Sequence, residues 1–328
     1  MSKLVTIYGG SGFVGRYIAR RMAQAGWRVR VAVRRPNEAL FVKPYGAVGQ
    51  VEPVFCNIRD DASVRAVMQG ADAVVNCVGI LVESGRNKFS DVQSDGAGRI
   101  ARLAAEMGVE KLVQISAIGA DAQSDSLYQQ TKAKGEALVQ EQFPNAVILR
   151  PSVIFGHEDQ FFNRFAGMAR FSPILPVVGP NTKFQPVYVE DVAAAAAKAL
   201  TDTVVPGVYE LGGPDVASFR ALMEMMLAEI RRKRVLLSIP FPIANVMGGA
   251  LDVVQAVTLG LFSNTLLTRD QVRNLRRDNV VALGARGLED LGITPTPMST
   301  VLPAYLWSHR PGGQYKAIHE SAARLRKD

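Results

Sequence analysis

Residues 4–24 read LVTIYGGSGFVGRYIARRMAQ: an apolar β-branched run, a glycine-rich turn, then helical periodicity. Gly9, Gly12 and Gly15 stand at GxxGxxG spacing in that turn. Gly9 permits a tight bend, Gly12 lets backbone approach a pyrophosphate, and Gly15 allows a helix to pack closely on a strand. The free N–H groups and positive dipole end of the following helix would face the phosphates. Against a purely structural turn, the strand on one side and the helix on the other favour a dinucleotide. The residues expected to cradle it are Gly9, Ser11, Gly12, Phe13, Val14 and Gly15.

Six short apolar runs follow the same logic: LVTIY, VRVAV, VEPVFC, AVVNCV, KLVQIS and AVILRP. Helix-like stretches at 13–25, 63–68, 93–107 and 126–142 lie between them. Strands that are nearly continuous apolar runs are covered on both faces, so the alternation predicts an α/β fold with a doubly wound, parallel, Rossmann-like sheet. Residues 1–150 are expected to form the nucleotide-binding domain, with 187–200 returning to it, and 151–328 a smaller mixed C-terminal lobe. In that lobe a strand-like YELGG (209–213) and a helix over 218–230, with Ser218 as its N-cap, are predicted. The stretch SPILPVVGP reads as loop or short helix, and Phe161, Phe162 and Phe165 are placed at the lobe interface, equally as core residues or as a partner contact.

The two cysteines, Cys56 and Cys77, sit inside apolar runs, as reduced thiols do in a reducing compartment. His157, His309 and His319 have no ligand spacing, so no metal site is expected. The chain passes from MSKLVTIYGG straight into a strand, with no leader-like pattern, and is expected to act where it is made. The 241–262 stretch approaches spanning length, but Asn245, Asp252, Gln255 and a glycine pair interrupt it, favouring helices packed on a surface. The formal charge of +8 is dispersed, and its densest clusters (231–234, 269–277, 324–327) lack interleaved aromatics. That pattern argues against nucleic acid and suits membrane headgroups or acidic partners.

Cofactor choice is written at the end of the second strand. An NAD site places Asp or Glu there to accept from the ribose 2′-OH. Here VAVRRP puts Arg34 in that place with Arg35 after it, and guanidinium groups match a 2′-phosphate. NADP(H) is the expected cofactor. Asn57 and Ile58 of FCNIRD, and Val78 and Gly79 of NCVGIL, would line the same crevice at neighbouring strand ends.

SLYQQTKAKGE supplies Tyr128 and Lys132, four apart and on one helix face. An ammonium beside the phenol would lower its pKa and make it an acid or base near neutrality. With these residues the chain resembles the extended short-chain dehydrogenase/reductase superfamily. That resemblance implies that Ser116 and Pro151 also face the cofactor. It also implies a Ser or Thr donor near 118–119, where this chain has Ile118 and Gly119. Loss of one such donor costs on the order of 10²–10³ in rate.

LRPSVIFGHEDQFFNRFA, QPVYVEDVAAAAAKAL, YELGGPD and LTRDQVRNLRRDNVV narrow the resemblance to one atypical branch. It is that of the NADPH-binding accessory subunit of respiratory complex I, alpha-subcomplex subunit nine, and its bacterial relatives. The branch implies a nucleotide held rather than turned over, and no catalytic residue of its own. It implies core subunits near the quinone site as partners, and contact with the membrane surface through the C-terminal lobe. The place implied is peripheral, on the cytoplasmic face of the bacterial inner membrane, the equivalent of the mitochondrial matrix side. Two alternatives stand beside it. One is a free NADPH-dependent reductase or nucleotide-sugar epimerase using Tyr128 and Lys132; the other is a non-enzymatic sensor of NADP(H) state.

Overall fold

The computed structural model describes residues 2–83, 85, 87–257, 268–313 and 315. The expectations for His319, for 258–262 and for the basic cluster at 324–327 lie outside the described residues. β1 (Leu4–Tyr8) enters α1 (Phe13–Gln24) through the glycine turn, and β2 (Arg28–Val33) follows. A 3-10 helix over Pro36–Tyr45, begun by a proline whose fixed φ suits a first helical position, leads to β3 (Val51–Phe55). α2 (Asp61–Met68) starts where the Asp60 carboxylate accepts from the Ala62 N–H. Next come β4 (Ala73–Asn76), a π-turn at Ser90–Ser94 running into α3 (Asp95–Glu106), β5 (Lys111–Ile115), α4 (Leu127–Gln142) and β6 (Val147–Pro151).

The later chain carries β7 (Ile154–Phe155), α5 (Phe162–Phe171), β8 (Ile174–Val178), β9 (Lys183–Phe184), β10 (Val187–Tyr188), α6 (Val189–Thr201) and β11 (Gly207–Leu211). It continues through β12 (Ala217–Ser218), α7 (Phe219–Glu229), β13 (Val235–Ile239), α8 (Phe241–Val257), α9 (Arg269–Asn274) and α10 (Met298–Leu306). Ser218 caps α7 as expected, its hydroxyl accepting from the Ala221 N–H.

Among the described residues, seven strands form one sheet in the order β11-β6-β5-β4-β1-β2-β3, with every neighbouring pair parallel. The order reverses between β1 and β4, which opens a crevice at their carboxyl ends. Val5, Ile7, Ile18 and Met22 join Val189 and Val192 on one face; Tyr8, Val64, Ile100, Leu103 and Val139 fill the other. Ala193, Ala195 and Ala196 of α6 are fully buried in the first of these layers, where small side chains let helix and sheet approach closely. One expectation is corrected here. The YELGG strand belongs to the main sheet: β11 pairs with β6 in the register Gly207↔Val147 to Leu211↔Pro151.

One more correction concerns the C-terminal lobe, and one open choice falls to the core reading. SPILPVVGP contains a strand, β8, which pairs in parallel with β13. Phe161, Phe162 and Phe165 fill the lobe's own core: Phe162 is fully buried, and the Phe161 ring lies 5.7 Å from that of Phe219 on α7. Within FGHEDQFFNRFA, Glu158 ties the lobes together, its carboxylate accepting from Tyr17 Oη of α1 at 2.6 Å. Asp159 instead braces the C-terminal lobe, accepting from the Asn163 N–H at 3.0 Å and from Tyr305 Oη at 2.5 Å. No described helix is long and apolar enough to cross a membrane.

Candidate functional site

The glycine turn is shaped by steric necessity. Gly9 sits at φ +73°, in the left-handed region, and its N–H donates to the Ala32 carbonyl at 2.9 Å. A Cβ on Gly15 would stand 2.4 Å from the Gly9 oxygen and 2.7 Å from the Gly10 Cα, so α1 can lie this close only with glycine there. A Cβ on Gly12 would meet the Gly9 oxygen at 3.1 Å. The first turn of α1 has no acidic side chain to repel an anion. This cradle, at the positive end of a twelve-residue helix, fits a pyrophosphate.

From the turn a cleft of about 260 Å³ extends across the switch point. Gly9, Ser11, Gly12, Arg34, Asn57, Ile58, Val78 and Gly79, all expected from sequence, line it. So do Arg59, Cys77, Ile80 and Asn87, which were not expected. Arg34 Nη1 donates to Asn87 Oδ1 at 3.0 Å, reaching across the mouth. Arg59 adds a second guanidinium to the lining, its Nε 3.5 Å from Asn57 Oδ1. Its sequence signal was a basic residue directly after Asn57–Ile58. Arg35 turns away to Glu38, at 3.1 Å, and does not line the cleft. Burial pushes the Cys56 and Cys77 thiols up to about 11 and about 12, so both are neutral wall atoms near pH 7.

Other expected residues support the cleft from behind. Phe13 packs edge-on against Tyr17 with centroids 6.0 Å apart, and Val14 packs on the core. Pro151 ends β6, its carbonyl accepting from the Ile118 N–H at 3.0 Å. Ser116 is buried and donates to the Glu136 carboxylate, which Arg150 also grips at 2.6 Å.

Ser126 caps α4, so Tyr128 and Lys132 enter on its first turns. Lys132 Nζ lies 3.4 Å from the Ile115 carbonyl and 3.4 Å from where a Cβ on Gly79 would be, just behind the cleft wall; neither Lys132 nor Tyr128 lines the cleft itself. Burial lowers its pKa to about 8, against the opposing pull of Glu136 and Cys77. Tyr128 reverses the direction expected from sequence. Burial, then the nearby Asp270 carboxylate, raise the phenol to about 12, and the Phe89 ring covers it at 5.9 Å. Asp270 comes from α9 and was not foreseen. It accepts from Ser126 Oγ at 2.9 Å and from the Leu127 N–H at 2.8 Å, capping α4 from the C-terminal lobe. Ile118 is buried, Gly119 has φ +87°, and the Gln129 amide nitrogen stands 3.0 Å from where a side chain on Gly119 would begin. The site is built to hold a nicotinamide dinucleotide. Burial and the Asp270 carboxylate both favour the neutral phenol of Tyr128.

The family model described as "NAD dependent epimerase/dehydratase family" matches residues 5–212. The chain is 35% identical over 316 residues to "NADH dehydrogenase [ubiquinone] 1 alpha subcomplex subunit 9, mitochondrial" of Arabidopsis thaliana, covering 94% of this chain and 79% of that protein. A "Ceramide reductase" of Caulobacter vibrioides is 31% identical over 257 residues, 78% of this chain and 79% of its own length. Among solved structures, DesIV, a dTDP-glucose 4,6-dehydratase from Streptomyces venezuelae, superposes with TM-score 0.70 at 16% identity, over 92% of this chain and 95% of that one. That likeness speaks for the fold. The sequence matches extend well past the glycine turn into the later lobe, and the chain belongs to the NAD dependent epimerase/dehydratase family, on the branch of the alpha subcomplex subunit 9 proteins.

Proposed function

We propose that this chain holds NADP(H) as a fixed component of an accessory subunit of NADH:ubiquinone oxidoreductase. Residues 1–150, with 187–200 and the β11 strand (Gly207–Leu211), supply the nucleotide domain, and the rest of 151–328 the contact lobe. It sits peripherally on the cytoplasmic face of the bacterial inner membrane, its basic and apolar C-terminal lobe toward the membrane surface and the core subunits near the quinone site. One observation carries the reading. A nucleotide cradle stands beside a donor position filled by Ile118 and Gly119, in a chain 35% identical over 316 residues to an alpha subcomplex subunit 9 protein. Purified from membranes, the respiratory complex should contain this chain and release NADP(H) on denaturation; a complex that lacks it would remove the proposal.

The 2′-phosphate preference rests on Arg34, with Arg59 as its partner across the lining. A charge-assisted hydrogen bond contributes about 1.5–3 kcal/mol. Arg34→Ala should therefore lower the NADPH-over-NADH ratio of dissociation constants by about 10- to 150-fold, measured by calorimetry. Arg35→Ala should leave the ratio within about twofold, because that guanidinium is exposed and serves Glu38. Equal effects of the two substitutions would show that the phosphate is read elsewhere.

A second reading draws on the reductase relative: a free NADPH-dependent reductase or epimerase, with Tyr128 as acid and Lys132 as its support. It predicts NADPH oxidation by the isolated protein that falls about 10²–10⁴-fold in Tyr128→Phe. On the main reading oxidation stays at background in both proteins, while nucleotide content is the same.

A further inference from the structure

Away from the nucleotide cleft, α8 and α9 border a second cavity of about 480 Å³, lined by Asp125, Asn245, Val246, Arg269, Arg273 and Arg276. It shares none of its lining with the cleft. Arg269 and Arg273 are four apart on α9, and Arg276 follows in the next turn, so the three guanidinium groups converge. Against them the described lining sets one carboxylate, Asp125. The neighbouring acids are engaged: Asp270 with the start of α4, Asp252 with the Arg269 N–H at 3.1 Å, and Asp278 with the Lys183 N–H at 2.8 Å.

The arginines are held in place. Arg273 Nη1 donates to the Asp125 carbonyl at 3.0 Å, and Arg276 lies over the Phe241 ring at 5.6 Å. Arg269 lies flat on α8 because Gly249 leaves room, where a Cβ would stand 2.3 Å from its Nε. Beside this basic cavity, α8 exposes Ile243 (54%), Val246 (72%) and Met247 (42%). Their spacing puts them on one helix face, and Val246 belongs to both surfaces.

An anion alone would use the arginines and leave the apolar face wet. An amphiphile with a phosphate head uses both. We infer that the α8–α9 cavity is a headgroup site for an anionic phospholipid, its acyl chains lying against Ile243, Val246 and Met247. The inference rests on the membrane-facing reading of the C-terminal lobe and specifies which lipid that lobe takes and where.

The test is co-sedimentation of the full chain with vesicles of phosphatidylcholine alone, or of phosphatidylcholine and phosphatidylglycerol in equal parts. Binding should require phosphatidylglycerol. Removing one arginine near such a surface weakens attachment about fivefold, so Arg273→Gln with Arg276→Gln should weaken it on the order of 25-fold. Gly249→Ala leaves net charge unchanged and displaces the Arg269 guanidinium, and should cost about fivefold. Unchanged thermal midpoints would confirm that each variant is folded. Failure of the unaltered protein to bind either vesicle would overturn the membrane reading and the site together. Binding that persists in both variants would overturn the site alone. Binding of inorganic phosphate by the unaltered protein, lost in the double variant while vesicle binding is kept, would assign the cavity to a free anion. Undiminished vesicle binding with lost association to the respiratory complex would assign it to an acidic protein surface, and each of these two results would overturn the lipid assignment.

Discussion

Gly15→Ala is expected to leave the protein folded but without nucleotide. The new Cβ would meet backbone, 2.4 Å from the Gly9 oxygen and 2.7 Å from the Gly10 Cα, so no side-chain rotation relieves it. Either α1 slides away from β1 or the turn flattens, and both movements withdraw N–H groups from the pyrophosphate. Losing two such charge-assisted bonds costs about 3–6 kcal/mol, on the order of 10²–10⁴ in dissociation constant. The fold itself should lose about 1–3 kcal/mol from overpacking. Gly167→Ala, in α5, is the control: a Cβ there meets nothing within 4 Å, and its nucleotide content should match that of the unaltered chain. Nucleotide released by denaturation, set against the urea midpoint, separates the two effects. Retention of nucleotide by Gly15→Ala would mean that the cradle does not hold the phosphates.

Six of the seven strands of the main sheet were legible because the central ones are buried on both faces and read as apolar runs, whereas β11, half-buried at the edge, was assigned to the other lobe. Ser126 and Ser218 mark helix starts by local chemistry, through bonds to the N–H groups of Gln129 and Ala221. Two-residue strands such as β7 and β10 leave no period to read, and β8 follows Pro173 and carries Pro176 inside it. The cofactor site divides the same way. Gly9, Arg34, Asn57 and Gly79 sit at strand ends, so position in the alternation was enough to place them. Arg35 misled because its partner, Glu38, stands three residues on and takes the guanidinium. Asp270 was out of reach: it lies 142 residues from Tyr128 and arrives only when the C-terminal lobe folds back. The direction of the Tyr128 shift was lost with it, since spacing shows a lysine on the same helix face but not the burial or the distant carboxylate.

Lys132→Met should make the nucleotide-free protein more stable and the nucleotide-bound protein gain less. Lys132 is 7% exposed, and burial takes its pKa from the usual 10.5 to about 8. A depressed lysine pKa means that the folded state disfavours the proton the unfolded chain keeps. Below pH 8 both states are protonated and the cost is complete, about 3 kcal/mol. Between pH 8 and 10.5 the unfolded chain holds more protons, so stability rises with pH and the cost fades. Methionine has similar length and no charge, and should recover about 2–3 kcal/mol at pH 7, with the advantage shrinking above pH 8. The Glu136 carboxylate keeps Arg150 and Ser116 after the exchange, so no buried charge is stranded. What the lysine returns for its cost is an ammonium just behind the cleft wall beside Gly79, where ribose hydroxyls can accept from it. The variant should therefore bind nucleotide more weakly, and its ligand-induced rise in thermal midpoint should be smaller. A Lys132→Met protein less stable than its parent at pH 7 would show that the ammonium is already satisfied within the fold, and that its position behind the wall serves structure instead of the cofactor.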